Sequence, residues 1–240
     1  MSFVNFAKRE IQLKIVYYGP GRGGKTTNLQ VIHEMIQDDT KGKLISLSTV
    51  GDRTLFFDCM PLTANVIEGY TTRFLLYTVP GQVMYNETRR LVLKGVDGIV
   101  FVADSQWSLM PENVESLANL RENLKLQNDS LDNIPHVLQY NKRDLPDVAP
   151  EHFLDFTLNN REVHQPAFSA VATTGEGVFE TLNMACRMVL HKFIKTHRTQ
   201  ETAPAAKPAE PAGPRPPDPG PRTPATAVPP AANSENLPRK

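Results

Sequence analysis

Apolar residues along this chain alternate between two spacings. Residues 11–18, rich in β-branched and aromatic side chains and stopping at Gly19, read as a buried strand entering a turn. Further strands are expected over 54–58, 73–79, 98–103 and 136–140, with a short one near Ala167. Residues 85–93, 112–127 and 178–195 carry apolar positions at helical spacing, and another helix should start at Thr26. Strands alternating with helices predict an α/β fold, a mostly parallel central sheet with helices on both faces. No helix separates 54–58 from 73–79, so this pair is expected to form one antiparallel edge. Phe101, Trp107, Met110 and Phe179 are assigned to packing, with a partner surface as the alternative.

Composition divides the 240 residues in two. Residues 1–199 have the balance of a folded domain, whereas 200–240 are dominated by Pro and Ala and hold too little apolar surface to build a core; they read as a disordered tail. A Pro-x-x-Pro match at Pro211-Ala212-Gly213-Pro214 is of a kind that arises often in such composition. Lys and Arg together equal Asp and Glu, 26 against 26, so no global field calls for nucleic acid or an anionic membrane. Cys59 and Cys186 lie far apart without metal-ligand spacing, which fits small buried side chains in a reducing compartment. There is no signal-like start and no long apolar run. Ser2 stands where N-terminal acylation requires glycine, and no cysteine lies near Lys240 for prenylation. A cytoplasmic location without a direct membrane anchor is expected, and membrane contact would pass through partners.

The strongest chemical signal is Gly19-Pro20-Gly21-Arg22-Gly23-Gly24-Lys25-Thr26, which fits Gly-x-x-x-x-Gly-Lys-Ser/Thr between an expected strand and an expected helix. Glycines let the backbone curl so that consecutive N–H groups of Gly21, Arg22, Gly23 and Gly24 converge on phosphate oxygens. The helix start, with Thr27 behind Thr26, adds its positive dipole end. Lys25 would bridge the outer phosphates, and the Thr26 hydroxyl suits Mg²⁺, which binds few protein groups plus phosphate and water. The loop alone does not choose between ATP and GTP.

Asn141-Lys142-Arg143-Asp144 leaves the carboxyl end of the 136–140 strand, where open α/β sheets bind ligands. The Asp144 carboxylate can accept from both the ring N–H and the exocyclic amine of guanine, a pair of donors adenine lacks. The stem of Lys142 can lie along the base. Ser169-Ala170 follows the last strand and is expected to offer a backbone N–H to the guanine carbonyl, with Val171 beside it. A site built for one hydrogen-bond pattern rejects the wrong analogue by roughly 10⁴-fold or more.

These motifs, together with Leu44-Ile45-Ser46-Leu47-Ser48-Thr49, Asp52-Arg53-Thr54-Leu55-Phe56-Phe57-Asp58, Tyr77-Thr78-Val79-Pro80-Gly81-Gln82 and Asp97-Gly98-Ile99-Val100-Phe101-Val102-Ala103-Asp104-Ser105, resemble bacterial MglA-type GTPases over nearly the whole globular part. The resemblance implies a Ras-like fold, GTP hydrolysed to GDP in a molecular switch, and control of cell polarity or surface motility through downstream effectors. It also implies a homodimeric Roadblock-fold protein that activates hydrolysis, and recruitment to a cell pole by partners.

Pro80-Gly81-Gln82 would bring the Gly81 N–H to the terminal phosphate and let Gln82 orient the attacking water. The resemblance assigns Arg53 as an arginine supplied from within the chain to neutralise phosphate charge. Thr54 would complete Mg²⁺ coordination only with the γ-phosphate bound, tying loop order to nucleotide state. Two departures stand out. Thr78 replaces the Asp of the Asp-x-x-Gly element of most Ras-like proteins, a change MglA-type proteins share, and Asp58 is the acid that could compensate through water. Arg22 puts a long cation inside the phosphate loop, directed toward phosphate or toward solvent. An alternative to the enzyme is a nucleotide-dependent adaptor with little hydrolysis.

Overall fold

The first expected strand forms the spine of the sheet. In the computed structural model, which describes residues 3–36, 42–43, 45–46, 58–67, 69–81, 85–160 and 162–201, it becomes β2 (Glu10–Tyr18), preceded by a short β1 (Phe3–Asn5). The chain continues through α1 (Lys25–Met35), β3 (Ile45–Ser46), β4 (Asp58–Ile67), β5 (Tyr70–Thr78), α2 (Asn86–Leu93) and β6 (Gly98–Asp104). It then forms α3 (Met110–Lys125), β7 (His136–Asn141), α4 (Glu151–Leu158), β8 (Ala167–Ser169) and α5 (Val178–Glu201).

The strands line up in the order β3-β4-β5-β2-β6-β7-β8, with β1 pairing beside the start of β2. β2 runs parallel to β5 and β6, β6 to β7, and β7 to β8. Side chains alternate across this sheet as the period of two requires. Leu13, Ile15 and Tyr17 of β2 join a core with Leu29 and Ile32 of α1 and Leu182 and Val189 of α5. Val16 and Tyr18 join the opposite core with Leu93 of α2, Leu117 and Leu120 of α3 and Leu154 of α4. The strands are therefore covered on both faces, as the apolar runs predicted. Phe101 and Met110 are buried, while Trp107 stays 42% exposed and packs on Phe153 at 4.6 Å between ring centroids.

The antiparallel edge is present but lies further along the chain. Of the strand expected over 54–58, only Asp58 falls among the described residues, and β4 continues from there to Ile67, paired with β5 from Cys59↔Tyr77 to Ile67↔Tyr70. Pro61 hid this strand from a sequence reading, because proline cannot donate to a ladder. Its carbonyl accepts from the Gly42 N–H at 2.8 Å, away from β5, so its missing N–H also faces the outer edge and costs the pair nothing. β1 and β3 add two further short antiparallel pairings that the apolar pattern did not predict. α5 extends to Glu201, and the tail beyond it lies outside the described residues.

All five parallel strands end at one edge of the sheet, and the phosphate loop, Pro80-Gly81, Asp104-Ser105, Lys142-Asp144 and Ala170-Val171 lie at those ends. Leu76 and Leu91 test the core: Leu76 is fully buried against α1 and α5, whereas Leu91 is 70% exposed. Leu76→Ala should lower the unfolding free energy in urea by about 2–5 kcal/mol, and Leu91→Ala should stay within about 0.5 kcal/mol. Equal effects would contradict this core.

Candidate functional site

The turn after β2 is built around a buried cation. Lys25 opens α1, is 6% exposed, and turns back so that its Nζ donates to the carbonyls of Gly19 at 3.0 Å and Pro20 at 2.6 Å. Gly24 stands at the helix N-cap with φ +99°, where a Cβ would run into the Asn141 side chain, so only glycine lets the loop close here. No side chain caps α1, and its first turn holds no acid. The first N–H groups and the positive end of the helix are thus left for an anionic ligand. Burial, and then the Arg89 charge, lower the Lys25 ammonium from its ordinary 10.5 to about 7. A polyphosphate would reverse that cost.

Asn141 ties this loop to the two segments beside it. Its Nδ2 donates to the Gly23 carbonyl at 2.8 Å, and its Oδ1 accepts the Ala172 N–H at 2.9 Å. Lys142, with φ 66°, sends its Nζ to the buried Asp104 at 2.5 Å, which leaves the aliphatic stem as a wall. Together with Arg22, Thr27, Asp144, Ala172 and Thr173 these residues line a cavity of about 200 Å³ next to the phosphate loop. Asp144 is exposed at its rim. Arg22, exposed and at φ 59°, lines the same cavity.

Behind the loop, Asn28 donates to Gln139 Oε1 at 2.9 Å, and Gln139 returns the bond to Asn28 Oδ1 at 2.9 Å and donates to Thr181 Oγ1 at 3.2 Å. This buried amide pair joins α1, β7 and α5 under the site. Sequence reading missed it, although a polar residue amid the apolar run of β7 is the signal that could have found it.

The expected N–H from Ser169-Ala170, with Val171, is corrected. Ser169 ends β8 and its hydroxyl bonds Glu151; the Ala170 N–H donates to Tyr140 O at 2.9 Å, and the Val171 N–H to Glu176 O at 3.0 Å. Those donors are spent continuing the sheet and closing a turn. Ala172 and Thr173 reach the cavity instead, because β8 runs on in register with β7 before the loop turns toward the ligand edge.

At the end of β5, Gly81 rests against the phosphate loop. A Cβ there would lie 2.7 Å from the Gly21 nitrogen and 3.1 Å from the Pro20 carbonyl, so glycine alone allows this approach. Thr78 is buried at the same strand end. Arg53, Thr54 and Gln82 lie outside the described residues, so their expected roles have no geometry here. For Mg²⁺, Thr26 sits half-buried in the first turn of α1, and no group of three His, Cys, Asp or Glu able to hold an ion occurs among the described residues. A hydroxyl beside a phosphate cradle fits an ion held mostly by phosphate and water. Among the described residues no helix is long and apolar enough to cross a membrane.

The family model described as the ADP-ribosylation factor (Arf) family matches residues 2–189. The mutual gliding-motility protein MglA of Myxococcus xanthus (strain DK1622) is 57% identical over 195 residues, covering 81% of this chain and 99% of that protein.

Because folding lowers the Lys25 pKa to about 7, the unfolded chain binds more protons than the folded one between about pH 7 and 10.5. The Lys25 contribution to stability therefore rises with pH through that window and is least favourable below it. In ligand-free protein, the unfolding free energy of wild type minus that of Lys25→Met should rise from pH 7 to 9 by up to about 1.4 kcal/mol per unit. A difference that stays flat would contradict the buried, uncompensated ammonium.

Proposed function

This chain belongs to the ADP-ribosylation factor (Arf) family as an MglA-type GTPase, and we propose that it is a Mg²⁺-dependent guanine-nucleotide switch that hydrolyses GTP to control cell polarity or gliding motility. The observation that carries this reading is the Asn141 side chain. By bonding both Gly23 of the phosphate loop and Ala172, it makes the phosphate cradle and the Asp144-lined cavity one continuous site. Phosphates would lie on the N–H groups of Gly21, Arg22, Gly23 and Gly24, with Lys25 swinging from its loop carbonyls to the outer phosphates.

The base would enter between Lys142 and Arg22, with Asp144 accepting its ring N–H and amine and Thr173, beside the Asn141-held Ala172, meeting its carbonyl edge. Thr26, and Thr54 in the GTP state, would hold Mg²⁺, which supplies charge neutralisation between the phosphates. Gly81 would donate its N–H to the terminal phosphate, Gln82 would orient the water and Arg53 would offset the developing charge. A homodimeric Roadblock-fold protein is proposed as the activator, acting on the segments around Arg53 and Gln82, with downstream effectors reading the GTP state. The printed name of the Myxococcus relative supports motility as the process.

Single-turnover hydrolysis of γ-labelled GTP, with and without the Roadblock protein, tests the enzyme. Stimulated turnover is expected, and Arg53→Ala and Gln82→Ala should each slow it at least about tenfold while nucleotide still binds. Nucleotide-dependent partner binding without any stimulated turnover would contradict hydrolysis and leave an adaptor. Asp144→Ala should weaken guanine nucleotide at least about tenfold without creating a tight ATP site. Unchanged GDP affinity would remove Asp144 from base recognition.

A further inference from the structure

Arg89 is a buried cation that the proposed reaction does not use. It lies on α2, is 1% exposed, and its guanidinium is spent on neutral acceptors: Nε on the Pro80 carbonyl at 2.8 Å, one terminal nitrogen on the Gly81 carbonyl at 2.5 Å, the other on Asn119 Oδ1 at 2.7 Å. No carboxylate pairs with it among the described residues. Burying an unpaired charge is expensive, and the bonds it makes are of the strong, charge-assisted kind.

The anchor is itself braced. Asn119 Oδ1 also accepts from the Tyr18 hydroxyl at 2.6 Å, and Asn119 Nδ2 donates to Asn86 Oδ1 at 2.9 Å. Asn123 Nδ2 reaches the same Asn86 oxygen at 2.7 Å. Arg89 is therefore fixed from β2, α2 and α3 together, while its fork grips the two carbonyls that follow β5.

The orientation of one peptide follows. In a trans peptide the C=O and the next N–H point in opposite directions. With the Pro80 carbonyl held toward α2 by Arg89, the Gly81 N–H must face the other way, and Gly81 lies against Gly21 and Pro20 of the phosphate loop. We propose that Arg89 is a positioning residue that locks the Pro80–Gly81 peptide so that the Gly81 N–H is aimed into the terminal-phosphate position, making the site prefer GTP over GDP at the point where Thr78 stands in place of an acid. This rests on the switch reading above. Arg89 touches no phosphate; it acts through Gly81.

The N–H of Gly81 meets only a terminal phosphate, so loss of the lock should change the ratio of two affinities and leave the general affinity for guanine nucleotide. The test measures Kd for GDP and for a non-hydrolysable GTP analogue, by competition against a fluorescent nucleotide, in full-length wild type, Arg89→Met and Arg89→Lys. Arg89→Met should cut the preference for the GTP analogue at least about tenfold, the size expected for a charge-assisted hydrogen bond, with GDP affinity within about threefold of wild type. Arg89→Lys keeps the charge but not the fork, so its ratio should fall less, by at least about threefold, and it decides the question if Arg89→Met does not fold. Either folded variant keeping the wild-type ratio, or losing both nucleotides by the same factor, would overturn the assignment. Wild type that binds neither nucleotide would overturn the switch reading and this one with it.

Discussion

Positive charge sealed away from water at the carboxyl edge of the sheet is the constraint around which the rest is arranged. Lys25 and Arg89 are each nearly fully buried, and their described hydrogen bonds go to backbone carbonyls and an amide. Desolvation of this kind is tolerated where fixed dipoles, and finally a ligand, replace the lost water. An uncapped helix start beside them adds to the same potential. The ligand-free molecule thus concentrates desolvated positive charge in one place, where an anion with several oxygens would offset it.

The fold supplies the geometry for that place. Five parallel strands bring Gly19, Gly81, Asp104, Asn141 and the turn after Ser169 to one edge, and two apolar cores hold the strands rigid from both faces. Polar side chains then connect neighbouring ends. Asn141 bridges the loops after β2 and β8, the Asn28–Gln139 pair locks α1 to β7, and Arg89 fixes the segment after β5 to α2 and α3. Each link joins segments distant in sequence, so the Asp144-lined cavity, the loop after β2 and the segment after β5 share one frame.

Much of this was legible from residue order. The strands at 98–103 and 136–140 and the helices expected over 85–93, 112–127 and 178–195 lie where the apolar spacing puts them, to within a few residues at their ends, since periodic segments and glycine stops are local signals. The phosphate loop and the Asn-Lys-x-Asp run could be read for the same reason. What escaped depends on tertiary context. Pro61 concealed β4 because its harmlessness depends on which side of the strand is unpaired. That the Ala170 N–H is taken up by Tyr140 escaped because the register of β8 on β7, invisible in one sequence, decides which N–H groups the sheet consumes. Arg89 gave no local sign at all; an arginine on an amphipathic helix reads as solvated until α3 is seen to cover it.

One continuous site that reads guanine through Asp144 while Lys25 holds the phosphates would bind guanine nucleotides and exclude adenine nucleotides. The most direct measurement strips the purified protein of nucleotide, equilibrates it with equal concentrations of GTP, GDP, ATP and ADP in Mg²⁺, and identifies the bound species by chromatography after denaturation. Guanine nucleotides alone are expected in the bound fraction. Adenine nucleotides at comparable occupancy would contradict this reading of the site.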